Sequence, residues 1–177
     1  RPMPENIREN DILFVKTDYL YDRTFQTAFL PRIRKKFTLV TGISSYSVQG
    51  KEADILNNEK VKYWFCTNPP DVDNKKIIPL PIGFEEKERT GGNQGVLNNA
   101  ILNAPKWLDK SDKLYLPYHD VGTNPQRDAQ IKFLSSLPYV EAETERLEFA
   151  KYLKKMSKYK YVLCLSGAGD DTHMNYE

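Results

Sequence analysis

Apolar and polar positions alternate along the chain between short runs with the two-residue period of a strand and longer stretches with the period of a helix. Ile12 to Lys16 (Ile-Leu-Phe-Val-Lys) reads as a buried strand, and Phe25 to Lys36 as a helix with Phe25, Phe29 and Ile33 at four-residue spacing. Phe37 to Thr41 forms the next strand, which Gly42 closes. A short helix is expected at Glu52 to Asn57, a strand at Lys62 to Cys66 and a stop at Asn68-Pro-Pro-Asp71. Ile77 to Ile82 is extended, but Pro79 and Pro81 confine it to an edge or an irregular strand. Val96 to Asn103 is expected to be helical.

After Pro105 the rhythm restarts. Leu114 to Tyr118 reads as a strand, His119 to Pro125 as a polar turn, and Gln126 to Leu137 as a helix with Ala129, Phe133 and Leu137 on one side. A short strand at Val140 precedes a long helix, Arg146 to Tyr159, carrying Leu147, Ala150, Leu153 and Met156. Tyr161 to Leu165 is the most apolar strand of this half, and a glycine turn with a presumed helix start ends the chain. Strands alternating with helices predict an α/β fold with parallel, doubly wound sheets and right-handed crossovers. The Gly-Gly stretch between about 90 and 105 is the natural seam, giving two Rossmann-like units, 1–105 and 106–177, the second incomplete.

Composition narrows the functional classes. At 177 residues the chain is long enough for one domain or two small ones with a real core. Its apolar runs fall far short of the roughly 18–20 residues that cross a bilayer, so no membrane span is expected, and no signal-peptide pattern opens it. A soluble, cytoplasmic protein is the expectation. Arg1 is not an initiating residue, so a lost upstream segment, and with it the lumenal domain of an anchored Golgi enzyme, stays open. With 26 Lys+Arg against 24 Asp+Glu, the balance is too even for a nucleic-acid footprint, and no nucleic-acid partner is expected. The basic groups Arg32, Arg34, Lys35, Lys36 and Lys151, Lys154, Lys155, Lys158 read as solvated helix faces. Cys66 and Cys164 each end an apolar run, and without a Cys-x-x-Cys or Cys/His cluster they read as buried free thiols rather than metal ligands.

Candidate chemistry gathers at strand ends. In Val162-Leu-Cys-Leu-Ser-Gly-Ala-Gly-Asp-Asp-Thr-His-Met-Asn-Tyr-Glu177 an apolar strand runs into two glycines and then into good helix-capping residues. Open α/β sheets bind ligands outside the carboxyl ends of their strands, where helix N-termini offer N–H groups to phosphate. Ser166, Gly167, Gly169, Asp170, Asp171 and Thr172 would then cradle a diphosphate, with Glu177 accepting from ribose hydroxyls. A plain strand-to-helix turn fits the same residues. In Tyr118-His-Asp-Val-Gly-Thr-Asn-Pro-Gln-Arg127, Asn124 can cap the next helix, and Arg127 brings a cation to a helix start, which is unfavourable unless an anion meets it. A surface arginine is the alternative. Lys16-Thr17-Asp18-Tyr19 places a carboxylate at the end of the first strand, either a general base for an acceptor hydroxyl or a capping Asp. Asp71-Val-Asp73 matches a divalent-metal pattern but sits in a proline-rich turn, so no metal is expected. His119 beside Asp120 lacks a nucleophile and reads as a structural hydrogen-bonding pair.

Taken in order, Ile12-Leu-Phe-Val-Lys-Thr-Asp-Tyr-Leu, Phe29-Leu-Pro-Arg-Ile33, Phe37-Thr-Leu-Val-Thr-Gly, Trp64-Phe-Cys-Thr-Asn68, Ile78-Pro-Leu-Pro-Ile-Gly83, Thr123-Asn-Pro-Gln-Arg127 and Tyr161-Val-Leu-Cys-Leu-Ser-Gly-Ala-Gly-Asp-Asp-Thr-His173 resemble exostosin-like glycosyltransferases, with virus-encoded and microbial members nearest. The resemblance covers nearly the whole chain. It implies a GT-B architecture and transfer of a sugar from a nucleotide diphosphate donor, UDP-linked, to a glycan or glycoprotein hydroxyl. On it, Asn124 and Arg127 fall beside the diphosphate, Ser166 to Thr172 form the glycine loop with His173 following, and Glu177 holds the ribose. Lys16, Thr17 and Tyr19 would face the acceptor, with Asp18 as base. Two departures stand out. Met174 occupies a place where an arginine commonly follows the His, and Gly42-Ile-Ser-Ser-Tyr46 replaces a polar string in the first domain. The length is short for a two-domain enzyme. A non-catalytic nucleotide- or glycan-binding module is the alternative function.

Overall fold

A computed structural model describes residues 3–44, 46–48 and 50–177, with the backbone alone at 51, 52 and 123. The chain divides into two units. The first comprises Arg1–Ile82 with Ala168–Asp171, and the second Gly83–Gly167 with Thr172–Glu177. The expected division at 105/106 therefore falls inside the second unit. Within that unit α2 (Gln94–Leu102) packs on α4 (Phe149–Met156).

The first unit is a four-stranded parallel sheet in the order β1 (Ile12–Lys16), β2 (Phe37–Gly42), β3 (Val61–Cys66), β4 (Ile77–Pro79). β1 has the predicted bounds, and β2 and β3 are each one residue longer than predicted. β4 pairs on one side only, in keeping with Pro79 in the strand and Pro81 just after it. Its core is continuous: Leu20, Phe25, Ile33, Phe37, Leu39, Val61 and Trp64 are buried together with residues of the Gly50–Asn57 3₁₀ segment. Trp64 satisfies its indole by donating to Thr41 Oγ1 at 2.9 Å. A bulge opposite Phe37 and Thr38 shifts the register of β3, so that Val61 and Trp64 are both buried while Tyr63 lies exposed.

The predicted Phe25 to Lys36 helix is broken into pieces. A single turn, α1 (Asp18–Tyr21), is followed by a π-helical turn at Phe25–Phe29 and a 3₁₀ turn at Leu30–Arg32. Pro31 explains the break, since it removes a helical N–H and restricts Leu30 before it. Of the first basic group, only Arg32 is helical; Arg34, Lys35 and Lys36 are exposed in the link to β2.

The second unit is a three-stranded parallel sheet in the order β6 (Val140–Ala142), β5 (Ser111–Leu116), β7 (Tyr159–Val162). Its helices are α2, α3 (Arg127–Ser135) and α4. α4 begins later than predicted because Glu148 caps it, accepting from the backbone N–H groups of Ala150 and Lys151. The expected apolar face of α3 is not buried: Phe133 is exposed, and Arg127 is the buried residue of that helix. On α4, Lys151 and Lys154 are solvated, and so is Lys158 just beyond its end, but Lys155 turns inward and pairs with Glu143 at 2.6 Å. The buried apolar set is small, with Leu97, Tyr115, Leu116, Leu153 and Tyr159, of which Tyr115 and Tyr159 stack at 4.8 Å. No helix among the described residues is long and apolar enough to cross a membrane.

Candidate functional site

Strand order in the first sheet runs consecutively, whereas in the second it reverses at β5, whose neighbours are β6 on one side and β7 on the other. Such a reversal opens a crevice at the carboxyl ends of the strands, because the segments leaving them part in different directions. There the chain after β5 meets the chain after β7. His119, 5% exposed, is set by Pro117 O at 2.7 Å from Nδ1, and its Nε2 accepts from Leu165 N–H at 3.1 Å. This pair of bonds requires the neutral ring with its proton on Nδ1. Burial holds the imidazole below its ordinary value, and the nearby Arg127 cation acts in the same direction. The structural role expected of His119 is the one it fills.

Arg127 and Asn124 act on the same segment. Arg127 donates from Nε to Ser166 O at 2.8 Å, from Nη2 to Leu165 O at 3.1 Å and from Nη1 to Asp120 O at 2.8 Å. Asn124 Nδ2 donates to Gly167 O at 3.2 Å, while its Oδ1 accepts from Gln126 N–H at 3.0 Å. The buried cation at the start of α3 is thus met by backbone carbonyls, which carry partial negative charge. Through these bonds Arg127 positions the chain after β7.

The expected glycine cradle is likewise rearranged. Ser166 and Gly167 stay with the second unit, whereas Ala168–Asp171 belongs to the first. Asn68, buried and with a φ of 49°, clamps that segment: its Oδ1 accepts from Asp171 N–H, and its Nδ2 donates to Asp171 O at 3.2 Å. Asp171 Oδ2 accepts from Ile82 N–H at 2.8 Å. Gly169 is buried and Asp170 exposed. No helix follows; the residues after Thr172 make one 3₁₀ turn, His173–Asn175, without a side-chain cap. His173 Nδ1 lies 2.8 Å from Gly83 O. The helix N-terminus that was to meet a diphosphate is absent from the described residues.

Glu177 lies instead in a cavity of ≈ 540 Å³ at the carboxyl ends of β5 and β6, with Tyr118, Glu143, Arg146 and Tyr152 among its walls. Burial pushes the Glu177 carboxyl above the ordinary carboxylate range, against the opposing pull of Tyr152 and His173 and with Glu85 adding to the rise. Gly91 makes room for this pair: a Cβ there would stand 2.6 Å from Glu85 Oε2 and 3.4 Å from Glu177 Oε1. Arg146 stacks on Tyr118, its Cζ 6.0 Å from the ring centroid. Glu143 accepts from Lys155 and from the Tyr115 hydroxyl, the latter at 3.3 Å. Arg146, Tyr118 and Glu143 were missed as site residues. A signal was present for Glu143, which directly follows the end of β6, whereas Arg146, four residues beyond that end, reads in the pattern as the first residue of a helix.

In the first unit, Thr17 is 2% exposed and its hydroxyl donates to Gly42 O at 3.3 Å, joining the ends of β1 and β2. Lys16 and Asp18 form a partly exposed ion pair, 3.3 Å between Nζ and Oδ2, and Tyr19 is exposed beside them. Asp71 and Asp73 are exposed, and no cluster of three or more His, Cys, Asp or Glu residues occurs among the described residues. Both cysteines are free; burial pushes the Cys66 thiol up to about 11.

Two parallel-sheet α/β units compatible with Rossmann-like folding, the second with a cavity at its carboxyl edge, define the class. Compared with known proteins, the chain matches no protein-family model and no curated sequence.

Proposed function

We propose that the chain is a glycosyltransferase of GT-B type that takes its nucleotide diphosphate sugar, UDP-linked, at the carboxyl edge of the second sheet and needs no metal. The observation that carries this reading is the strand-order reversal at β5 together with the Glu177 cavity at that edge, the place where open parallel sheets receive nucleotides. The carboxylates of Glu177 and Glu143 suit sugar hydroxyls, which donate to them. Tyr118 offers a ring face to the base, and Arg146 a cation to the diphosphate. Asn124, Arg127 and His119 hold the chain after β7 in place. The resemblance to exostosin-like enzymes supports the same assignment. In the transfer step the acceptor hydroxyl gives its proton to Asp18 as its oxygen bonds to the anomeric carbon. The bond from that carbon to the phosphate oxygen breaks, and the nucleoside diphosphate leaves with the electron pair.

Calorimetric titration with UDP tests the donor assignment. A hydrogen bond to a charged group contributes roughly 1.5–3 kcal/mol, so Glu177→Gln should weaken binding about 10-fold or more. Equal affinities would remove the ribose role.

A further inference from the structure

The first unit carries a second cavity, of ≈ 320 Å³, beside the outer edge of β1. Its size falls at the lower end of small-molecule sites, about 300–1,000 Å³. Leu13, near the amino end of β1, lines it together with the apolar Pro4, Ile7 and Ile33, whereas the polar lining residues are Lys16, the last residue of β1, and Tyr19 and Thr24, which follow it in the chain. From Leu13 to Lys16 a strand rises about 10 Å. Phe25 and Phe29, the ends of the π-helical turn, are also on the wall, and π turns recur at functional sites because their wider winding displaces side chains from helical register.

An apolar slot that ends in polar groups matches one ligand chemistry, an aliphatic tail with a hydroxyl-bearing head. We propose that this cavity binds the tail of a small amphiphile, with its polar head at Lys16, Tyr19 and Thr24. The Lys16–Asp18 ion pair at that end leaves no net charge, which favours an uncharged, hydroxylated head over an anionic one. The ligand class stands on the cavity alone. Its role as the sugar acceptor rests on the transferase reading, under which the head would lie near Asp18.

The test is a calorimetric series with n-hexyl, n-heptyl and n-octyl β-D-glucoside, each below its micelle concentration. Burying a methylene is worth about 0.8 kcal/mol, so each added carbon should tighten binding about fourfold. Thr24→Trp plugs the polar end and removes no hydrogen bond of the Thr24 side chain to the helix N-terminus, since that side chain makes none. It should weaken octyl glucoside at least tenfold and leave UDP affinity and the melting curve unchanged. Affinities that do not depend on tail length overturn the proposal even if the variant fails to fold. Tail-dependent binding that a folded Thr24→Trp does not weaken overturns it too, by marking adventitious detergent binding. Tail-dependent, plug-sensitive binding without sugar transfer upholds the cavity and removes only the transferase reading.

Discussion

At the scale of single residues, the second unit depends on a buried histidine that must remain neutral. His119 receives the Leu165 N–H on Nε2, and protonation would replace that acceptor with a donor. Its folded value lies below the ordinary 6.5. Above that value the ring is neutral both folded and unfolded, and its full contribution is present. As pH falls from there, the unfolded chain takes up the proton first, and stability is lost until the lower folded value has been passed. In urea unfolding between about pH 7.5 and 5.5, wild type should lose stability that His119→Asn, which cannot titrate, does not lose. Parallel pH profiles for the two proteins would contradict this. Arg127 sits in the same cluster and was legible only in part: a cation at a helix start signals that something negative meets it, but the pattern cannot distinguish phosphate from backbone carbonyls.

Among the elements, strands were far more legible than helices. β1, β2 and β3 appear where their apolar runs place them, but the burial expected of β1 does not hold: it is an edge strand with Ile12 and Phe14 exposed, and β2 is the strand buried along most of its length. The four-residue spacing of Phe25, Phe29 and Ile33 is real, and Phe25 and Ile33 are buried, but Pro31 sets the backbone into π and 3₁₀ turns. The glycine loop misled for a related reason. Local chemistry favoured a cap and a helix, while Asn68, about 100 positions earlier in sequence, holds Asp171 through a contact that no local pattern contains. α4 makes the converse point: a glutamate cap two residues after the expected start decides where it begins. Glu148→Ala should cost about 0.5–2 kcal/mol in chemical denaturation, read on the second unit. A change below a few tenths would mean that Asp/Glu-type capping contributes little there.

Over the whole molecule the two units differ in how much apolar surface they bury. The first has a continuous cluster around Phe37, Leu39 and Trp64, while the second relies on a few side chains and leaves Leu102, Leu108 and Phe133 exposed. Marginal stability scales with such burial, so the second unit should unfold at lower urea than the first. Two probes separate them. Trp64 is fully buried in the first unit and Trp107 is 55% exposed in the second, so tryptophan emission follows mainly the first, while far-ultraviolet circular dichroism follows both. The dichroism transition should begin before the fluorescence transition; coincident curves would show one cooperative unit instead.

The transferase reading concerns what happens at the carboxyl edge of the second sheet, and it is tested most directly by the release of UDP from a panel of UDP-sugars, with and without carbohydrate acceptors, in EDTA. Acceptor-dependent release that persists under chelation, and that falls at least 100-fold in Asp18→Asn with UDP affinity unchanged, is the predicted result. UDP bound but never released from its sugar would contradict catalysis and identify a binding module, and release that requires added manganese would contradict the metal-free site.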